Sequence, residues 1–329
     1  MRPFDFAETN TLADACSEAA KAGSEIKAGG IDLIDRLKER VEPDLQTVVS
    51  IQPLKAELAK VETKDGALHL GSLLTIDQVE NTAELGNQAF AAVTEAARST
   101  ATPPIRRRAT LGGNLLQKSR CWYLRSSGFG CLHGKDGDAC MALAGENRYH
   151  SVMGYDDCVR VHPSNMAPAL LAVDAKVAIQ SRNGSRTVPL SEVFPANANA
   201  ANAEHTLAAD EVLTHVILET PPAGTRSAYC ESREKESHDW ATTSAAVSLQ
   251  ITGGVIRNPR ICLGAVAPVP VPSPDAAKLL DGQAPDKALF AKVAEAAYES
   301  ASPLMQNGYK VQVGKTMLID ALTKAAGME

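Results

Sequence analysis

The sequence predicts an α+β protein built in two parts, and three observations carry that prediction. Strand and helix signals alternate over residues 1–219. Pro221-Pro222-Ala223-Gly224 then interrupts the chain with the strongest boundary signal it contains. Beyond it, three strand-like runs are followed by three helical segments, the order expected of a small antiparallel sheet carrying helices. The expected parts are 1–222 and 223–329, and 329 residues are enough for two hydrophobic cores.

Hydrophobic residues make up 44% and charged residues 22%, a globular balance. Aromatics are only 4%, so the core must rest on Ala, Leu, Val and Ile. A net charge of −6 lacks the basic footprint of a general nucleic-acid binder. The N-terminus carries Asp5 and Glu8 without an apolar run, so it does not read as a signal peptide, and no apolar run is long enough to span a membrane. Seven cysteines form no small-domain disulfide framework. Cytoplasmic folding with reduced thiols is expected, with a periplasmic destination open through co-export with a partner.

The elements follow in order. Thr9 or Asn10 caps a helix running to about Ala22. A short strand, Glu25 to Ala28, leads into Gly29-Gly30-Ile31-Asp32-Leu33, which opens a helix through about Glu39. Strand, glycine pair and helix start aim backbone N–H groups at a phosphate, although two adjacent glycines also mark ordinary tight turns. Leu45 to Ile51 reads as a buried strand, and Val61 to Leu70 as a hairpin about Lys64-Asp65-Gly66. Thr75 and Gln78 form a capping box. A second helix covers Gln88 to Arg98, stopped by Pro103-Pro104. Arg106-Arg107-Arg108 is read as a solvated or interface turn.

Residues 109–165 hold four of the seven cysteines and five of the fourteen aromatics. They open with Thr110-Leu111-Gly112-Gly113-Asn114 and close on His162-Pro163-Ser164-Asn165. After them come a helix capped by Ser164, a hairpin with a type I′ turn at Asn183-Gly184, a surface loop at 195–204, and a strand from Glu211 to Glu219. The second part adds strands at Arg226 to Glu231, Thr242 to Thr252 and Arg260 to Ala267, with Gly253-Gly254 as a turn. Helices are expected at about 275–280, 286–300 and 311–326.

Cys121, Cys131, Cys140 and Cys158 lie in polar, glycine-rich sequence that would not bury four thiols on hydrophobic grounds. Their spacing lacks the tight pairs of zinc sites and bacterial ferredoxins. Four thiolates on irregular loops suit an iron–sulfur cluster, and zinc with His133 or His150 is the other option. Cys16, Cys230 and Cys262 read as plain core residues. Gly314-Lys315-Thr316 ends like a phosphate-binding loop, but Tyr309 stands where that motif needs glycine. No hydrolase or metalloprotease motif is present, and no catalytic residue is assigned.

Taken together, the segments resemble the FAD-binding subunit of the molybdenum hydroxylases, the family of xanthine dehydrogenase, aldehyde oxidoreductases and carbon monoxide dehydrogenase. Lys27-Ala28-Gly29-Gly30-Ile31-Asp32-Leu33 resembles its first pyrophosphate loop, Thr110 to Asn114 its second, and His162 to Asn165 its segment near the flavin. The cysteine insert resembles the aldehyde oxidoreductase subgroup, whose flavin subunit carries a [4Fe–4S] cluster.

The resemblance implies a two-part FAD-binding domain of the vanillyl-alcohol-oxidase/PCMH type and a C-terminal domain of the CO dehydrogenase flavoprotein type. It implies FAD contacts from Lys27 to Leu33 and from Thr110, Gly112, Gly113, Asn114, His162 and Asn165, with Glu231 and Asp239 from the second part. At the Glu231 position relatives often carry a lysine, for which Lys235 is a shifted substitute. It implies [4Fe–4S] ligation by Cys121, Cys131, Cys140 and Cys158. It also implies a heterotrimer, with a molybdopterin-binding large subunit, a [2Fe–2S] small subunit and an external electron acceptor. A zinc-stabilised scaffold without flavin, a flavin subunit of a xanthine or aromatic-acyl-CoA type molybdenum hydroxylase, and a free-standing flavin oxidase of the same fold are the rival readings.

Overall fold

The computed structural model describes every residue except 1, 43, 135, 136, 197, 198, 200–202, 236–238 and 329. Part of the expected loop at 195–204, and Lys135 and Asp136 of the glycine-rich stretch, therefore lie outside the described residues.

Three sheets organise the chain. The first is a small parallel sheet of β1 (Asp5–Glu8), β2 (Ser24–Lys27) and β3 (Thr47–Ser50), in the order β1-β3-β2. Parallel neighbours need crossover connections, and helices Leu12–Ala19 and Ile31–Glu39 supply them. The second is antiparallel: β4 (Val61–Lys64), β5 (Ala67–Gly71), β6 (Lys176–Ser181), β7 (Gly184–Pro189) and β8 (Val212–Glu219) pair in the order β4-β5-β8-β6-β7. The third joins β9 (Thr225–Ser232), β10 (Thr243–Thr252), β11 (Val255–Gly264) and β12 (Val271–Pro272).

That third sheet is buried on both faces, which is why β10 shows no alternation of polar and apolar residues. Ala245, Val247 and Leu249 face helices Lys287–Ala297 and Tyr309–Ala326. Ala246, between them, joins Tyr229 and Cys262 in the core around helices Ala91–Ser99 and Met166–Ala172. The side-chain period of two thus splits one strand between two cores.

Several local expectations need correction. The first helix is capped by Thr11, whose hydroxyl accepts from the Asp14 N–H, and it ends at Ala19 because Gly23 turns the chain back at φ 73°. Pro103 and Pro104 begin a short helix, Pro103–Arg106, rather than only ending one, since proline suits the first helical turn. The turn after β6 is centred on Arg182 and Asn183, neither at positive φ, so it is not type I′. The chain uses that turn at Asp65-Gly66 instead, with φ of 52° and 80°. The strand expected from Arg260 begins at Val255 and stops at Gly264. Gly314-Lys315-Thr316 lies inside helix Tyr309–Ala326, where a side chain at Gly314 would meet the Tyr298 hydroxyl at 2.0 Å. Packing, not phosphate, accounts for that glycine. Among the described residues no helix is long and apolar enough to cross a membrane.

Candidate functional site: a flavin cleft beside a cysteine insert

The two glycine loops, far apart in sequence, meet in space. A Cβ on Gly29 would lie 2.1 Å from the Arg108 carbonyl oxygen, so only glycine lets the backbones touch. Arg108 closes the junction by donating from Nε to the Gly29 carbonyl at 3.1 Å. Gly30, at φ 85°, takes the left-handed conformation that starts helix Ile31–Glu39. The first N–H groups of that helix have no acceptor within it, and Ile31, Asp32 and Leu33 line the cleft.

The second loop is stitched to residues 72–76: Leu111 donates to the Leu74 carbonyl at 2.8 Å, Gly112 to Ser72 at 2.9 Å, and Ile76 to Ala109 at 2.9 Å. Thr110 caps helix Leu111–Leu115 by accepting from the Gly113 N–H at 3.2 Å. Asn114 accepts from the Ser164 hydroxyl at 2.6 Å, and Ser164 accepts from the Ala167 N–H. This fixes the His162-Pro163-Ser164-Asn165 turn against the second loop.

A cleft of about 510 Å³ lies between these loops. Lys27, Ala28, Gly29, Gly30, Ile31, Asp32, Leu33, Thr110, Gly112, Gly113, Asn114, Asn165 and Asp239 all line it. A second cavity of about 260 Å³ continues from it toward Cys121, and Arg120, Asn165, Asp239 and Trp240 border both.

Three expected contacts behave otherwise. His162 is buried beneath the turn, edge-on to Phe194 at 5.0 Å, and lines neither cavity. Burial depresses its pKa to about 4. Glu231 also lines neither cavity. Its carboxylate accepts from Tyr229 at 2.7 Å and from the Asn165 amide, and it pairs with Arg233 at 3.2 Å. It therefore stands one layer behind Asn165, and burial raises its pKa. Lys235 is exposed and borders neither cavity. Asp32 borders the cleft, but its carboxylate is occupied by Arg36, Arg120 and Arg125. Of the three consecutive arginines, Arg106 bonds the carbonyls of Thr100 and Ala101 and Arg108 bonds Gly29, so two of them brace the fold.

Sequence reading missed Arg120 and Trp240. The Arg120 guanidinium lies 4.5 Å from the centre of the Trp240 ring, at the junction of the two cavities. The pair comes from distant segments, and no local pattern announces it.

The cysteine insert lies against the end of the second cavity. All seven cysteines are free thiols. Among the described residues, no three His, Cys, Asp or Glu side chains are gathered tightly enough to enclose a metal. Pairs of these thiols nevertheless approach one another. Cys140 and Cys158 are hydrogen-bonded, which lowers the Cys140 pKa to about 6 and raises that of Cys158. Burial, with the nearby Cys131 and Cys140 thiols adding to it, pushes Cys121 up to about 11. His150 reaches Cys121 Sγ at 3.1 Å. Four thiols are the donor chemistry of a soft metal centre, but the described residues do not gather them around one point. Cys16 and Cys262 are buried in the cores as expected, and Cys230 is half-buried.

A family profile described as the FAD binding domain in molybdopterin dehydrogenase matches residues 2–221, and one described as the CO dehydrogenase flavoprotein C-terminal domain matches residues 227–325. The chain belongs to this flavin-binding family of molybdenum-dependent oxidoreductases. It is similar along 99% of its length to the FAD-binding subunit of an aldehyde oxidoreductase from Escherichia coli K12, at 31% identity over 335 residues and 99% of that relative. It is 24% identical to the carbon monoxide dehydrogenase medium chain of Hydrogenophaga pseudoflava, over 91% of this chain and 88% of the other. A solved structure of carbon monoxide dehydrogenase from H. pseudoflava shares the fold at a TM-score of 0.76, with 23% identity and 100% and 99% of the two chains covered. Quinoline 2-oxidoreductase from Pseudomonas putida 86 does so at 0.76, with 21% identity over 99% and 98%.

Proposed function

We propose that this chain is the FAD- and [4Fe–4S]-binding electron-transfer subunit of a heterotrimeric molybdenum-containing oxidoreductase acting on aldehydes. A molybdopterin-binding subunit and a [2Fe–2S] subunit would be its partners, and an external acceptor would take the electrons. The observation that carries the flavin assignment is the contact between Gly29 and Arg108, which brings both glycine loops to one cleft. Similarity to an aldehyde oxidoreductase subunit over the whole chain supports the substrate class.

FAD supplies two-electron and one-electron redox chemistry when bound, and a [4Fe–4S] cluster supplies single-electron steps. The chain's own residues bind and orient. The N–H groups of Ile31 to Leu33 are the donors suited to a pyrophosphate, while those of Gly112 and Gly113 are spent on Ser72 and Thr110, so the second loop's glycines serve close approach. Trp240 and Arg120 wall the junction of the cavities, and Asn165 and Asp239 offer polar groups there. Cys121, Cys131, Cys140 and Cys158 would hold the cluster beyond that wall. No proton-transfer residue is required of this chain. Where the partner is exported, this chain would travel with it to the periplasm.

Acid release of cofactors from the purified chain, with flavin and iron assayed in the supernatant, tests the reading. Flavin and iron in a ratio of about one to four are expected from one FAD and one four-iron cluster. A preparation holding neither, or holding zinc instead, would overturn it.

A further inference from the structure

β2 is an edge of the small parallel sheet and pairs only with β3. Thr47 donates to the Gly23 carbonyl at 3.0 Å and Ile51 to the Lys27 carbonyl at 3.2 Å. Alternate residues of a strand turn their peptide groups to opposite sides, so Gly23, Glu25 and Lys27 serve β3. The Ser24 carbonyl and the Ile26 N–H and carbonyl are left on the outer edge, where no described residue bonds them. All four residues of β2 line the first cleft.

The cleft also holds two unpartnered side-chain atoms. Ser24 Oγ and His205 Nδ1 are buried without a hydrogen-bond partner. Native proteins leave few such atoms, because each one costs stability, and those that line a cleft can be satisfied by what enters it. The Glu25 carboxylate beside them is occupied by Arg36. Ala19, Leu207, Ala208 and Val212 add apolar walls. None of these residues borders the second cavity, whereas Asn165, Asp239 and Trp240 border both.

A dinucleotide held by its pyrophosphate at Ile31 to Leu33 has two arms. The strand edge indicates which one enters here. A carbonyl next to an N–H complements adenine, whose exocyclic amine donates beside a ring nitrogen that accepts. Guanine offers two acceptors on that edge, O6 and N7, and would set an oxygen against the carbonyl. The free hydroxyl and imidazole nitrogen suit the hydroxyls of a ribose.

We propose that the outer edge of β2, with Ser24 and His205, is the adenosine subsite of the cleft and selects adenine over guanine. This rests on the flavin reading given above.

The test titrates the full chain, stripped of flavin, with FAD, FMN, ADP and GDP in a calorimeter. ADP should bind at least tenfold more tightly than GDP. Ile26→Pro removes the outward N–H, a loss that an edge strand tolerates, and should weaken ADP and FAD about tenfold while leaving FMN unmoved. His205→Leu should act in the same direction, and with Ser24→Ala it replaces Ile26→Pro if that variant does not fold. Equal affinity for ADP and GDP, or variants that lose FMN as much as FAD, would overturn the inference alone. A parent chain that takes up neither FAD nor FMN removes the flavin reading beneath it.

Discussion

Arg125 donates through Nη2 to Asp32 Oδ1 at 2.6 Å, across 93 residues of sequence. The bond ties the helix that follows the first glycine loop to the segment just after Cys121. Arg36 and Arg120 converge on the same carboxylate, at 2.9 Å and 3.1 Å. The flavin cleft and the cysteine insert therefore share one charged junction.

Asp32→Asn should destabilise the chain by about 3 kcal/mol, because it leaves three largely buried guanidinium groups short of an acceptor. Burial alone would raise the Asp32 pKa, but Arg36, Arg120 and Arg125 overcome it and hold the pKa below its ordinary value. A depressed carboxyl stabilises the fold above its unfolded pKa of about 3.9 and loses that contribution as pH falls through the folded value. Urea denaturation from pH 7 to pH 3 should show an acid-dependent loss in the parent that is smaller in Asp32→Asn. Equal slopes would remove Asp32 from this role.

Gly29→Ala should weaken FAD retention at least tenfold, about 1.4 kcal/mol, since its methyl group must displace the Arg108 carbonyl. The flavin-to-protein ratio after gel filtration reads this directly. Gly66→Ala is the comparison. Its added methyl meets nothing within 4 Å, so it costs backbone strain at φ 80° and leaves flavin content at the parent value.

His162 is held neutral by burial, with a pKa of about 4, against about 6.5 in the unfolded chain. A depressed histidine contributes its full stabilisation above the unfolded pKa, and loses it as pH falls from about 6.5 toward 4. The loss is at most about 3 kcal/mol. His162→Gln should flatten the stability profile in that window. A profile identical to the parent would show that the imidazole is not what titrates.

Cys131→Ser should lower iron content and bleach broad absorbance near ~400 nm while leaving flavin bound. Iron unchanged from the parent would exclude Cys131 as a ligand. Zinc in the parent would turn the insert into a structural site.

The parts of the site legible in the sequence were those that local chemistry dictates. Gly29, Gly30, Gly112 and Gly113 announce close backbone approach, and Thr75 with Gln78 forms the capping box it spells out. Side-chain pairings across the fold have no such local signature. Asp32 reads as a cleft residue until Arg125 is seen on it, and Glu231 as a flavin contact until Asn165 and Tyr229 are found to hold it back. Cysteine spacing shows four thiols in a loop, but which of them pair, as Cys140 does with Cys158, appears only in three dimensions. β10 was visible as a strand, whereas its division between two cores was not, because both of its faces are apolar.

The Asn165 amide spends its nitrogen on the Tyr229 hydroxyl and the Glu231 carboxylate. Both N–H groups are directed to these two partners, so the part of the amide left to bond anything else is the carbonyl oxygen. At this corner the wall selects a molecule that offers a hydrogen, as an aspartate would, while carrying no charge itself. Glu231 thereby sets the direction of recognition at a surface it never reaches: the amide it holds is left to receive hydrogen bonds and not to give them.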